Sequence, residues 1–81
     1  MHKKSVISLN NAKINGEYIV VKVENKNNLT LKRLMELGIV KNTVIKPIHK
    51  SPFGNPIAYL IRGTVIAIRN EDSQNITVRK K

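Results

Sequence analysis

A single change of hydrophobic period constrains this chain more than anything else in it. Residues 17–24 (EYIVVKVE) are β-branched and alternate, which reads as a strand with Ile19, Val21 and Val23 on one face. At Leu31, Leu34, Met35 and Leu37 the spacing becomes helical. From Thr43 onward it returns to short strand-like runs at 43–50, 57–62, 65–69 and 76–79, the last with Ile76 and Val78 inward. One helix cannot flank a parallel sheet on both faces, so a doubly wound α/β fold is excluded. Five short strands with one short α-helix inserted after the first predict a mainly β fold, a small and partly open barrel. At 81 residues the chain makes one domain, 1–81, with fraying expected at 1–5 and 80–81.

Turn chemistry sets the joints. Residues 8–15 are polar around one apolar anchor, Leu9, and lead through Gly16 into the first strand. Residues 25–28 form a loop. Thr30 is the expected N-cap of a helix over 29–37, with Leu29 stapled onto Leu34 and with Lys32, Arg33 and Glu36 outward. Gly38 stops that helix in the left-handed conformation, and Ile39 folds back on Leu34. Pro47 removes a ladder donor, which places it at an edge or a bulge. Residues 51–56 (SPFGNP) make a tight turn, Gly63-Thr64 a tight joint, and 70–75 a single helical turn.

The chain carries a formal net charge of +10, which attracts anionic partners: nucleic acid, an anionic membrane or an acidic protein face. Lys3, Lys4, Arg79, Lys80 and Lys81 supply much of it at the two ends, where charge is most often simply solvated. There is no cysteine, hence neither a disulfide nor a thiolate metal site, and this fits the cytosol. No apolar stretch reaches the ~18 residues of a membrane span, and none follows the basic start as a signal peptide would require. No phosphate-binding glycine loop is present. Asp72, the sole aspartate, sits beside Glu71 in a polar turn, a setting for a solvated helix start rather than an acid–base pair. His2 and His49 are the only histidines and no carboxylate neighbours His49, so no metal site is expected. The expectation is a non-enzyme without a cofactor.

Three stretches, taken in order, carry a resemblance. They are Leu31-Lys32-Arg33-Leu34-Met35-Glu36-Leu37-Gly38-Ile39, Ser51-Pro52-Phe53-Gly54-Asn55-Pro56-Ile57, and Arg62-Gly63 through Ile68-Arg69. With Leu9 and Gly16-Glu17-Tyr18 ahead of them, the chain resembles the FeoA family of small SH3-like barrels associated with ferrous iron transport. One departure is Lys41-Asn42, where the family usually has Pro-Gly; Asn tolerates the positive φ such a turn needs. The resemblance implies a cytoplasmic accessory protein acting by contact with FeoB, a membrane iron transporter with a cytosolic GTPase domain. The same barrel also occurs at the C-terminus of some metal-dependent repressors.

The candidate partner-binding residues follow. Phe53, flanked by Pro52 and Gly54, either projects as an anchor or folds back to plug the barrel end. Lys32, Arg33 and Glu36 form a second surface suited to an acidic groove, unless they are only a solvated face. Gly38, Gly54, Pro56, Arg62 and Gly63 are turn residues. Arg62 either bonds backbone carbonyls at its turn or joins the basic surface. The basic ends suit peripheral contact with an anionic inner membrane, and an open barrel edge admits a homo-oligomer. The alternative function is a nucleic-acid-binding SH3-like barrel working through its basic surface. Aromatic poverty counts against stacking on single strands and against a proline-rich-peptide groove.

Overall fold

The computed structural model describes residues 5–81, so the readings placed on His2, Lys3 and Lys4 lie outside the described residues. Strand β1 (Val6–Ser8) leads through a 3-10 turn (Leu9–Asn11) into β2 (Tyr18–Val23). Helix α1 (Asn28–Glu36) follows, then β3 (Val44–Lys50), β4 (Ile57–Ile61), β5 (Thr64–Ile68), the short helix α2 (Asn70–Ser73) and β6 (Ile76–Lys80). The strands form one antiparallel sheet in the order β1-β6-β2-β3-β4-β5. The mainly β barrel with one inserted helix is therefore present, with six described strands instead of about five. The additional strand is β1, three residues held only by β6 (Val6↔Arg79, Ile7↔Val78, Ser8↔Thr77). Its partner comes from the far end of the chain, and no local pattern announces it.

The core lies inside the curl of the sheet. Leu9, Val20, Ile39, Ile45, Tyr59, Ile61, Ile76 and Val78 are almost fully buried there. In β2 the inward parity belongs to Tyr18 and Val20, not to Ile19, Val21 and Val23. A register shift between Val20 and Lys22 then re-aims the strand so that Val23 packs on the core after all. Pro47 sits at a second shift, opposite β4, where the ladder skips Ile48; its carbonyl accepts the Asn15 N–H at 2.6 Å. At the C-terminus Lys80 pairs with Tyr18, and the Lys81 N–H donates to the Glu17 carbonyl at 3.1 Å.

Helix α1 begins differently from its sequence reading. Asn27, not Thr30, is the N-cap: its Oδ1 accepts the N–H of Leu29 at 2.9 Å and of Thr30 at 3.2 Å. Leu29 is 79% exposed and staples nothing. The stop matches its reading. Gly38 takes φ +95°, its N–H bonds the Met35 carbonyl, and the Ile39 N–H bonds the Leu34 carbonyl, both at 3.0 Å. Leu34 and Ile39 then meet in the core. Asn42 also takes the positive φ expected of it, 74°.

Candidate protein-docking surface

The β3–β4 connection is built to present Phe53. Pro52 supplies a preset φ at the second position of a turn closed by the Gly54 N–H on the Ser51 carbonyl at 2.8 Å. The Ser51 hydroxyl donates to the Pro56 carbonyl at 2.9 Å across the neck of the loop, and the Asn55–Pro56 bond is cis. The tip is tied to α2 as well: the Asn70 side-chain amide donates to the Gly54 carbonyl at 2.8 Å, and the Asn70 N–H donates to Asn55 Oδ1 at 2.9 Å. The last bond satisfies a free donor at the start of α2. Of the two positions open to Phe53, the structure has the projecting one: the ring is 97% exposed, and it does not plug the barrel.

Helix α1 forms a separate surface. Lys32, Arg33 and Glu36 are exposed, as expected. The apolar stripe read from the sequence is mostly not core, because only Leu34 is buried; Met35 and Leu37 are 55% and 39% exposed. These side chains widen the surface beyond the charged residues, and the signal missed was that a lone helix beside a sheet has a single row to bury. The helix lies along β5. Its Thr30 end faces Arg69 and Asp72, and its Gly38 end meets the Arg62 side chain near the β4–β5 turn.

The two surfaces do not merge. Helix α2 stands between them, bonded to the Phe53 turn through Asn70 and to the loop before α1 through Asn25 Nδ2 on Asp72 Oδ1 at 3.2 Å. At the β4–β5 turn, Arg62 (φ 50°) and Gly63 (φ 79°) both take positive φ, the signature of a two-residue hairpin loop matched to strand twist. Arg62 makes no hydrogen bond among the described residues, so its contribution to the turn is backbone conformation, not carbonyl bonding. His49 is exposed on β3, and among the described residues no three His, Asp or Glu side chains gather as a metal site would need.

A family model described as the FeoA domain matches residues 7–80. The chain belongs to the FeoA family. Among solved structures, a FeoA protein from Chlorobium tepidum superposes with a TM-score of 0.86 at 27% identity, covering 91% of this chain and 70% of its own. A FeoA-like protein from Clostridium acetobutylicum gives 0.83 at 29% identity, covering 98% and 90%. The zinc complex of Stenotrophomonas maltophilia FeoA gives 0.78 at 25% identity, covering 89% and 88%. That protein is described as a prokaryotic SH3 domain and a candidate activating factor of ferrous iron transport. A search of curated proteins finds no match. The sequence resemblance and the SH3-like barrel thus agree, and the family associates this FeoA domain with ferrous iron transport.

Proposed function

We propose that this FeoA domain is an accessory protein that docks on the cytosolic face of a FeoB-type ferrous iron transporter and acts on it by contact, without catalysis. The observation that carries this reading is Phe53, the chain's only phenylalanine, held almost wholly in solvent on a turn braced by five hydrogen bonds, the Ser51 N–H on the Pro56 carbonyl among them. Exposing a ring forfeits the stabilisation its burial would give, and a braced exposed ring loses little entropy when a pocket takes it. Pro52 stiffens the anchor. Lys32, Arg33 and Glu36 add a charged surface that steers more than it holds, since exposed pairs contribute only ~0.2–1 kcal/mol each. Arg79, Lys80 and Lys81 suit an anionic membrane close to such a partner. The reading therefore places the protein in the cytoplasm, peripheral to the inner membrane.

The test is capture of partners by the tagged protein from nuclease-treated, detergent-solubilised native membranes at physiological salt, read by mass spectrometry. Enrichment of a GTPase-containing membrane transporter, lost on Phe53→Asp, is the expected result. Absence of the transporter, together with capture of nucleic-acid-associated partners from a parallel sample left without nuclease, would overturn it in favour of the basic-barrel alternative.

A further inference from the structure

The sheet does not close. Its terminal strands are β1 and β5, and among the described residues they do not pair with each other. The free edge of β5 can be read from its register with β4. The two-residue loop makes Ile61↔Thr64 the closing hydrogen-bonded pair, so Tyr59↔Ile66 and Ile57↔Ile68 are bonded pairs too. Val65 and Ala67, between them, must point their N–H and C=O groups away from β4. No other described backbone or side-chain group bonds to them. Both residues are exposed.

This edge does not face bulk solvent alone. It forms one wall of a cleft of about 560 Å³ whose other wall is α1. Leu34, Leu37 and Ile66 give it an apolar lining, and Arg33 and Arg69 stand on it. Arg33 has no carboxylate within ion-pair distance among the described residues, and Arg69 pairs only with exposed Glu71. The one acid of the lining, Asp72, is engaged by Asn25. Strand β1 offers no equivalent: it has three residues and no basic side chain of its own.

We propose that the β5–α1 cleft binds an extended acidic–apolar segment of a partner protein by strand addition, the segment becoming a seventh strand antiparallel or parallel to β5. The N–H and C=O groups of Val65 and Ala67 supply main-chain bonds. Alternate apolar side chains of the segment lie on Leu34, Leu37 and Ile66, and its carboxylates meet Arg33 and Arg69. The net charge of +10 sets the sign of the partner and not its site. The proposal stands apart from the Phe53 surface, since α2 separates the two.

The test uses the full chain and an eight-residue capped peptide of alternating Glu and Val, with a Lys/Val peptide as the charge-reversed control, followed by amide NMR and hydrogen exchange. The acidic peptide is expected to shift and protect the Val65 and Ala67 amides in particular, and to bind more weakly as salt rises. Ala67→Pro removes one outward donor at an edge position that tolerates proline, and is expected to weaken binding about tenfold. Arg33→Glu with Arg69→Glu, on the exposed surface, tests the cleft without touching the strand and is expected to abolish the preference for the acidic peptide. Equal binding of the two peptides, or shifts confined to the Phe53 turn, would overturn the proposal. So would amides of Val65 and Ala67 already protected in a concentration-dependent way without peptide, since that would assign the edge to a second copy of this chain.

Discussion

Tyr59 is fully buried on β4, yet neither its hydroxyl nor that of Ser73, which it approaches, has a well-formed hydrogen bond. Burial pushes the Tyr59 pKa up, and the neighbouring Ser73 hydroxyl offsets only part of that. The folded-state value therefore lies above the ~10 of an unfolded tyrosine. Stability tied to this group is intact below pH ~10 and is lost as pH rises toward the folded value, because the unfolded chain gives up its proton first. The urea midpoint should fall between pH 8 and pH 11, and Tyr59→Phe should reduce that fall. At pH 8 the same substitution should change stability by less than about 1 kcal/mol, since an unpaired buried hydroxyl contributes little. Phe53 is the counterpart: Phe53→Asp should leave stability nearly unchanged, within about 0.5 kcal/mol, while removing the partner capture proposed for it. Arg62 stands at a loop position that favours Asn. Arg62→Asn should raise stability by about 0.5 kcal/mol in urea melts, because no hydrogen bond of Arg62 is given up.

Helix α1 has little holding it. One of its residues, Leu34, is buried, so its ends matter more than its face. Asn27→Ala should cost about 1 kcal/mol, measurable by urea melts and by faster exchange of the α1 amides. Thr30→Ala should cost much less, because the Thr30 side chain caps nothing. The start of this helix was hard to read because Asn25, Asn27, Asn28 and Thr30 are all capping residues. Its end was legible because Gly38 was the one residue there that takes φ +95° without strain. The strands after Thr43 were legible for a similar reason: β-branched runs stand between Pro and Gly turns whose geometry admits few alternatives. The Phe53 turn could be located but its direction could not. The outward position depends on Asn70, fifteen residues beyond Asn55, bonding the tip from α2.

At the scale of the whole molecule, the ordering of the sheet was the least legible property. Each strand advertises its period but not its neighbour, and β6 lies between β1 and β2, joining both ends of the chain. Charge misled here, since Arg79, Lys80 and Lys81 read as a solvated tail. Arg79 pairs with Val6 on one side and Ile19 on the other, Lys80 pairs with Tyr18, and the Lys81 N–H reaches the Glu17 carbonyl. Removing residues 79–81 should therefore lower unfolding free energy by about 2 kcal/mol, the scale of several net backbone hydrogen bonds. The loss should be local in exchange experiments, with the amide of Ile19, which faces Arg79, deprotected before those of β4 and β5. A tail that only carried charge would give no such loss at any salt concentration. Removing a tail that completes β6 costs its pairing even in high salt, where its three cations are screened. Comparing the truncation with Arg79→Gln, Lys80→Gln and Lys81→Gln combined separates these cases, because glutamine keeps the backbone bonds and removes the charge. The triple substitution should retain stability and the truncation should not.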